Sequence, residues 1–564
     1  MRGAAHRTQW LTREWELAQD TLGTAPTPLE SRPTGWSPLL FATFRWLWIA
    51  SVVSNIGTWM QNVGAAWLMA TLPQSSALLV ALVQTATNLP VFMLGVPAGA
   101  IADIVDRRKL LLITQAWMLA AAGALGGLTM VGFTGPYTLL WLTFALGLGA
   151  AMNGPAWQAI VPELVPRREL PSAIALNSVG FNLARAVGPA LGGLVVAGIG
   201  AGAAFILNAI SFVAVLIVLY WWKRGPEHQA ASSEGVGPAI WAGIRYVRFA
   251  PFMHSVLLRC GLFVISASAI WAILPMVAKV ELHSESAGYG VLLGFLGAGS
   301  IIGALILTRI RHRLTPEIVV TGGVVLFGLV NIGLGASTRY WIVSLLMLGG
   351  GIGWMAVNST LNTAAQTALP AWVRARALAV YLLVFQGAMA IGSVIWGEVA
   401  TRYGLRFTLF VAGLALIGAA IVTVRMRLGG EEAEMDVTPS QHWAEPSIIV
   451  EPDPEHGPVL VTVEYLIEPS QGVEFAATMK EMERIRRRDG AIQWGLFEDT
   501  ATPGRYLESF LVESWGEHLR QHARVTVADR TVEQRAFGFH RGPGLPVVTH
   551  WLAARDRIVP NSSR

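Results

Sequence analysis

Cysteine and charge are both scarce in this sequence. Its 564 residues include a single cysteine, Cys260, so no intrachain disulfide can form. Charged residues make up 14% of the chain, against 53% hydrophobic residues, and the mean hydropathy is +0.50. An ordinary soluble protein of this length does not have such a composition. The sequence also contains no phosphate-binding loop of the GxxxxGK type, which argues against ATP-driven chemistry.

Long apolar runs are what the sequence has in abundance. A helix needs about 20 apolar residues to cross a bilayer, and over such lengths only a helix satisfies its own backbone polar groups in lipid. We therefore predict an all-α membrane region. Its twelve expected spans are residues 42–70, 76–101, 110–133, 136–161, 171–198, 201–222, 252–277, 287–308, 317–337, 340–364, 376–401 and 404–425.

The two halves of this region repeat each other at a fixed offset of 204 residues. The offset relates Gly95 to Gly299, Gly99 to Gly303, Gly147 to Gly351, Gly188 to Gly392 and Gly193 to Gly397. One register held over about 150 residues indicates a parallel duplication into two six-helix pseudo-repeats, an architecture typical of transporters. The repeat fails at three chemically distinctive positions: Leu307 matches Asp103, Met389 matches Arg185 and Ser393 matches Pro189.

Composition divides the chain into six segments. We predict a polar cytoplasmic tail without a cleavable signal peptide at 1–38, six-helix bundles at 39–222 and 251–427, a cytoplasmic linker at 223–250, an acidic Pro-rich linker at 428–457 and a soluble domain at 458–564. The second part of the cytoplasmic linker, AIWAGIRYVRFAP, is typical of a short amphipathic helix on the membrane surface.

The soluble segment shows a different periodicity. VLVTVEYLI alternates as a strand, GVEFAATMKEMERIRRRDG is helical, and the remaining runs continue a β-α-β-β-α-β order, which predicts a ferredoxin-like α+β domain. His518 and His522 have a spacing that can bind a metal on a helix. No acid or cysteine pattern accompanies them, so we favour exposed histidines and predict no metal and no cofactor.

Basic residues are distributed unequally between the two sets of loops. With the N-terminus in the cytoplasm, the inner loops hold fourteen Lys and Arg residues and the outer loops only Lys279, Arg339, Arg402 and Arg406. This bias predicts a multi-pass protein of the plasma (inner) membrane with both termini cytoplasmic. The net charge of +5 follows largely from this bias, so we expect no nucleic-acid partner.

Two motifs connect the sequence to a known family. GAIADIVDRRK, with Gly99, Asp103, Arg107 and Arg108, lies between spans two and three, and ARAVGPALGG, with Gly188-Pro189, lies in span five. These runs resemble the loop signature and the antiporter motif of the major facilitator superfamily. The wider run NGPAWQAIVPELVPRREL is similar to its transmembrane secretion effector branch, which includes the bacterial enterobactin exporter. The resemblance implies a major facilitator fold and export.

Simple physical roles can be given to these motif residues. Gly95 and Gly99 are one turn apart, a spacing that lets two helices pack closely. Asp103 is expected to pair with Arg107 or with a helix start in one gating state; the alternative is that Arg107 and Arg108 only anchor the topology. Gly188-Pro189 interrupts a helix and produces either a hinge or a tight packing contact. We assign gating to all six motif residues, Gly99, Asp103, Arg107, Arg108, Gly188 and Pro189.

Charges at membrane depth are costly, so each is a candidate for substrate binding or coupling. Arg185 lies in mid-span and is the strongest candidate, either for an anionic substrate group or for a partner acid. Arg259 lies near a span end, where it can instead extend to the membrane surface. Glu163 and Glu398 are the nearest carboxylates and are candidates for a proton carrier, with solvated side chains as the alternative.

Polar stripes on two spans suggest the wall of a cavity. Asn55, Trp59 and Asn62 share a face of the first span, and Trp354, Asn358 and Asn362 share a face of the tenth. Amides beside aromatic rings suit a large amphipathic ligand. Hydrogen bonding between helices is the competing explanation for the same residues.

These observations lead to one favoured hypothesis and two alternatives. We predict a secondary active transporter that exports a siderophore-like or drug-like amphipathic small molecule by alternating access, with protons as the coupling ion. Thr143 stands where related antiporters have an arginine, which weakens the case for proton coupling. The alternatives are a transporter fused to a small monooxygenase-like domain and a transport-inactive membrane sensor. The expected partners are the substrate, the lipid bilayer, protons and a second copy through the C-terminal domain.

Overall fold

The computed structural model describes residues 35–222, 236–428, 436–440, 442–443 and 452–554. Within these ranges it does not describe the side chains of Val96, Ala100, Asp103, Ile104 and residues 236–240. Most of the predicted cytoplasmic tail and the first part of the predicted linker at 223–250 therefore lie outside the described residues.

The first half of the membrane region contains six helices. They are α1 (Ala42–Thr71), α2 (Ala77–Ile104), α3 (Arg107–Met130), α4 (Pro136–Leu164), α5 (Leu170–Ile199) and α6 (Ala201–Trp221). Local sequence explains their ends. Ser76 and Asp106 accept backbone N–H groups at the starts of α2 and α3, and Gly200, with a φ of 93°, joins α5 to α6 in a conformation that favours glycine.

A linker helix and six further helices follow. They are α7 (Val236–Phe249), α8 (Pro251–Met276), α9 (Ser286–Ile310), α10 (Pro316–Ala336), α11 (Tyr340–Thr367), α12 (Ala371–Tyr403) and α13 (Leu405–Thr423). The amphipathic helix predicted in the linker corresponds to α7. Gly404, which lies 204 residues after Gly200, also has a positive φ, of 86°, and joins α12 to α13. The repeat thus extends to the backbone conformation of this turn.

Judged by length and composition, eleven of the described helices could cross a membrane. They are α2 to α6 and α8 to α13. Helix α1 has 30 residues but is not among them, and polar residues including Ser54, Asn55, Gln61 and Asn62 interrupt its apolar sequence. The prediction of a mainly helical, multi-pass protein is confirmed, and eleven of its twelve predicted spans meet this criterion.

The same helix pairs pack in both halves. In the first half α1 packs on α5 and α6, α2 packs on α4, and α3 packs on α4 and α6. In the second half the matching helices do the same: α8 packs on α12 and α13, α9 packs on α11, and α10 packs on α11 and α13. The halves meet where α2 packs on α12 and α5 on α9. The two contacts are equivalent under the repeat, because α9 is the counterpart of α2 and α12 is the counterpart of α5. Two pseudo-symmetric bundles are expected to meet in this way.

Successive helices alternate in direction, so the ends of the bundle can be named from the chain. We call the linker side the end at which α1 begins, α6 ends and α7 lies. The opposite end, where α1 ends and α2 begins, is the far side.

The C-terminal segment forms an α+β domain. Its elements are β1 (Val459–Leu466), α14 (Gly472–Asp489), β2 (Ala491–Glu498), β3 (Arg505–Val512), α15 (Trp515–Arg524), α16 (Val527–Gly538) and β4 (Val547–Leu552). The antiparallel sheet has the order β2-β3-β1-β4. The predicted element order is present, but its second helix is divided in two, because Thr526 and Asp529 form a capping box that starts α16.

Part of the predicted linker at 428–457 belongs to this domain. The backbone carbonyls of Asp436 and Thr438 accept N–H groups from the start of α16, and Ser440 donates its N–H to Val525. His442 and Trp443 both contact the Glu533 carboxylate. These contacts use backbone groups and single polar side chains rather than an apolar pattern, which explains why composition indicated only a linker.

Helix α7 connects the soluble domain to the membrane region. Arg245 on α7 donates to the Glu517 carboxylate on α15 at 2.9 Å, and the Arg524 guanidinium lies 4.5 Å from the ring centroid of Trp372 at the start of α12. Burial opposes ionisation of Glu517, but Arg524, Arg520 and Arg245 outweigh it and lower the pKa of this carboxyl. One face of α15 is therefore a charged docking surface.

Replacing Arg245 with glutamine should loosen this docking. A hydrogen bond to a charged partner contributes about 1.5–3 kcal/mol, and its loss should raise deuterium exchange in α7 and α15 while α10 is unchanged. Arg248→Gln is the matched control, because Arg248 is exposed on the same helix and its described contact is with its neighbour Phe249. Equal exchange in the wild type and Arg245→Gln would show that Arg245 does not hold the domain.

Candidate transport site

A cavity of about 730 Å³ lies within the linker-side half of the first bundle. Its wall is formed by α1, α3, α4, α5 and α6, and its polar lining residues are Ser51, Ser54, Asn55, Gln115, Asn153, Gln158, Asn177 and Ser178, with Trp157 among the aromatic ones. Asn55 donates its amide N–H to Ser51 in its own helix, so this amide is held in place. A polar wall with aromatic surface suits an amphipathic ligand.

The three residues of the predicted stripe on α1 have different surroundings. Asn55 lines the cavity. Trp59 packs against Gly188 of α5, where a Cβ atom would lie 2.6 Å from the tryptophan Cβ. Asn62 is half-buried and is not part of the cavity lining. The stripe therefore contributes one cavity residue and one packing residue.

Amides also join helices in this half. Asn153 on α4 accepts hydrogen bonds from Thr114 and Gln115 on α3 at 3.3 and 3.2 Å. Gln61 on α1 accepts one from Asn208 on α6 at 2.5 Å. Both explanations offered by the sequence, cavity wall and interhelical bonding, therefore apply, and Asn153 serves in both.

Arg185 on α5 lies where the two halves meet. Its guanidinium carbon is 5.9 Å from the ring centroid of Trp354 on α11, in the other half. No carboxylate of the described residues lies within ion-pair distance of Arg185, and its side chain is only half-buried. A cation without an acid in mid-span, accessible and supported by an aromatic ring, can receive an anionic group.

The predicted stripe on α11 divides in a similar way. Trp354 is buried in an aromatic cluster with Phe263, Trp271, Phe327 and Phe385. Asn358 donates its amide to the backbone of its own helix at 3.0 Å. Asn362 is exposed near the linker side and bonds to Gln366. Of these three residues, Trp354 is the one with a described contact to the first half, at Arg185.

Arg259 and Glu398 lie away from this contact. Arg259 is 3% exposed and donates to the backbone carbonyls of Thr423 and Met426, so it caps the end of α13. Glu398 is partly exposed on the far side and pairs with Arg402 one turn along α12. The solvated alternative therefore fits Glu398, which belongs to an exposed ion pair. Arg259 does not extend to the surface and instead supports a helix end.

The loop motif between α2 and α3 forms a different ion pair from the one expected. Arg107 pairs with Glu163 at the end of α4, 2.8 Å away, and also donates to the Ala159 carbonyl. Arg108 donates to the backbone carbonyls of Leu219 and Tyr220 at the end of α6. The Asp103 side chain lies outside the described residues. Both arginines thus connect helix ends on the linker side, so their role is not limited to setting the topology.

Close packing at Gly99 was predicted and is absent in this conformation. A Cβ at Gly99 would meet nothing described within 4 Å, and one at Gly95 would only touch Leu383 of α12 at 3.6 Å. In the second half the repeat partner Gly303 does pack closely, since a Cβ there would lie 3.0 Å from the Ile352 Cα. The first-half glycines lie at the cross-half contact of α2 with α12, which is loose on the linker side.

Gly188 and Pro189 form tight contacts. A Cβ at Gly188 would lie 3.2 Å from the Ile56 carbonyl of α1, and the Pro189 carbonyl approaches Gly290 of α9. Helix α5 continues through both residues. Of the two roles left open by the sequence, the packing contact is present in this structure.

Contacts between the halves are close on the far side. A Cβ at Gly193 would lie 2.7 Å from the Ser286 carbonyl, and one at Gly397 would lie 2.5 Å from Ala81. The Leu78 N–H donates to Thr401 at 3.0 Å, and Lys279 donates to the Ala70 carbonyl at 2.7 Å. The far side is therefore closed, while the polar cavity lies in the linker-side half.

Several cavity residues were not found from the sequence. Gln115 follows Thr114, and Asn177 and Ser178 are adjacent, and none of the three belongs to the polar stripes predicted from the sequence. Their position relative to α1 depends on how the helices pack, which spacing along one helix does not show.

Two pseudo-symmetric helical halves that meet closely at one end, with a polar cavity in the first half towards the other end, define a membrane transporter. The chain belongs to the transmembrane secretion effector family, which matches residues 33–558. It is 22% identical over 393 residues to the multidrug efflux pump Tap of Mycobacterium tuberculosis, covering 67% of this chain and 91% of the pump. It is 26% identical over 394 residues to the enterobactin exporter EntS of Salmonella typhi, covering 66% and 91%.

A solved structure shows the same fold. A bacterial homologue of the human lysosomal transporter Spinster, in an inward-facing and unoccupied conformation, aligns with a TM-score of 0.55 and 14% identity, covering 68% of this chain and 95% of that one. The predicted family, the major facilitator superfamily and its secretion effector branch, is confirmed.

Proposed function

We propose that this protein exports an amphipathic small molecule with an anionic group, by alternating access as a secondary transporter. The observation that carries the proposal is Arg185, an arginine without an acid partner among the described residues, placed between the halves beside Trp354. Its relatives, a multidrug efflux pump and an enterobactin exporter, support a siderophore-like or drug-like substrate.

We also propose how the protein is oriented in the membrane. Helix α1 is the twelfth span, since its 30 residues pack along α5 and α6 like its counterpart α8 in the second half. The linker side, where the basic loops of the sequence cluster, is cytoplasmic, and the membrane is the plasma (inner) membrane. The cavity then faces the cytoplasm in this conformation, as an exporter needs for loading substrate.

We assign the soluble domain a docking role rather than a catalytic one. Its contacts with α7 and α12 involve Arg245, Glu517, Arg524 and Trp372. The family and the named relatives are transporters, which supports transport over the fused-enzyme and sensor alternatives.

Comparative profiling of culture medium and cell extract tests the export proposal. Cells that express the protein should release at least one anionic amphipathic compound that cells lacking it retain, and Trp354→Ala should lower the release. Identical media from both strains, with equal expression confirmed, would contradict export.

We also propose that export is coupled to protons, with Glu163 as the proton carrier, and a separate experiment tests this. Glu163 is the carboxylate paired with Arg107 at 2.8 Å, and its side chain is 7% exposed. Glu163→Gln should abolish export driven by a pH gradient in vesicles but leave downhill exchange of substrate intact. Glu398→Gln is the matched control, since Glu398 is solvated. Gradient-driven export by Glu163→Gln at the wild-type rate would exclude Glu163 as the carrier.

A further inference from the structure

Three histidines of the soluble domain lie together on one side of α15, and none of them has a role in the proposed transport. His518 and His522 lie one turn apart on α15, and His550 lies on the edge strand β4. One side-chain nitrogen of each histidine lies within 4.8 Å of the other two. The chain between His522 and His550 contains all of α16, so the cluster is a product of folding.

The spacing of the first pair fits a shared ion. The Nε2 atoms of His518 and His522 are 3.2 Å apart. Two nitrogens bound tetrahedrally to one zinc ion at about 2.0–2.1 Å lie about 3.3–3.4 Å from each other. The third imidazole is tilted over the first, with ring centroids 4.7 Å apart.

Polar atoms beside the cluster are buried without partners among the described residues. His518 is 1% exposed, and its Nδ1 makes no hydrogen bond to any residue that the structure describes. Gln521 is fully buried on the same helix and adjoins His518. Neither of its amide atoms makes a well-formed hydrogen bond to the described residues. An unsatisfied buried polar group costs about 1–3 kcal/mol, so the described residues leave the polar surroundings of the cluster incompletely satisfied.

A neutral imidazole offers a metal ion one lone pair, and no unpaired cation of the described residues is seen to oppose an ion at the cluster. The nearby Arg486 is neutralised by Glu508 and Glu533, at 3.1 and 3.3 Å.

We propose that His518, His522 and His550 bind one divalent transition-metal ion, with the fourth position open to water. Imidazole ligands suit zinc, copper, nickel and iron, whereas magnesium and calcium need oxygen ligands. The sequence predicted no metal and exposed histidines. The burial of His518 shows that the expected exposure was wrong for that residue, and His550 supplies the third ligand that the spacing lacked.

The site shares α15 with the docking surface of Glu517 and Arg524. A bound ion would fix α15 to β4 at one face while the other face contacts α7 and Trp372. Metal binding is therefore expected to slow deuterium exchange in α15.

Cobalt titration of the full-length protein, purified without a histidine tag and stripped of metal, tests the site. We expect one Co²⁺ per chain, visible absorption bands of tetrahedral coordination, displacement by Zn²⁺ and no effect of Mg²⁺. His550→Ala should weaken binding at least about 10–100-fold, and His522→Asn likewise. His312→Ala, which changes an exposed histidine outside the cluster, should bind as the wild type does.

Two results would overturn the proposal. One is a wild-type protein that binds neither Co²⁺ nor Zn²⁺. The other is binding of equal affinity in the wild type and in a His550→Ala protein whose thermal unfolding is normal. If that variant unfolds, the wild-type titration decides alone, since absence of the cobalt bands contradicts the site and their presence supports it.

Discussion

Replacing Arg185 with alanine is expected to lower export by about 10–150-fold without loss of membrane insertion. A hydrogen bond to a charged group contributes about 1.5–3 kcal/mol, which corresponds to that range at 1.4 kcal/mol per factor of ten. Arg185 has Trp354 beside it and no described acid to pair with, so the change breaks no ion pair of the described residues. Efflux of the profiled compound from preloaded cells measures the effect.

Two further variants separate charge from size at this position. Arg185→Lys keeps the charge but loses the planar fork, so we expect partial export. Arg402→Ala removes an exposed arginine of a solvated pair on α12 and should export normally. Full export by Arg185→Ala at wild-type expression would remove the role given to the arginine.

Adding a side chain at Gly193 is expected to have the second largest effect. A Cβ there would lie 2.7 Å from the Ser286 carbonyl and 2.8 Å from the Gly290 Cα, and backbone atoms cannot move aside without separating α5 from α9. Forcing extra atoms into a packed contact costs about 1–3 kcal/mol. Gly193→Val should therefore destabilise the state closed on the far side and lower export about tenfold or more.

Gly198 on the same helix provides the matched control. A Cβ there would meet nothing described within 4 Å, so Gly198→Val makes the same change in helix propensity without the clash. Export by Gly198→Val should stay near the wild-type rate. Equal loss in both variants would attribute the effect to the helix itself rather than to the closed contact.

The sequence predicted the repeat and much of its packing. Gly351 and its counterpart Gly147 are both close-approach positions, at the Leu296 carbonyl and at the Pro90 ring respectively. Small residues that recur in a fixed register can be recognised in the sequence, because each half must pack its helices in the same way. The open space at Gly99 was not predictable, because it depends on which conformation the two halves adopt.

Long-range contacts were the part that sequence reasoning missed. Arg185 and Trp354 were both candidates, but their contact joins two halves and follows from the placement of α5 against the second bundle. The pairing of Arg107 with Glu163 spans 56 residues, and the third histidine comes from a strand beyond another helix. Periodicity describes one element at a time, so partners on separate elements need the fold.

Thiol labelling of the cavity tests alternating access most directly. Ser178→Cys places a thiol on the cavity wall in a chain whose native Cys260 is 1% exposed, so background labelling should be low. A membrane-impermeant maleimide should label Ser178→Cys faster in inside-out vesicles than in right-side-out ones, and adding Gly193→Val should shift labelling toward right-side-out vesicles. Faster labelling from the outer face in both proteins, or no change on adding Gly193→Val, would contradict the account.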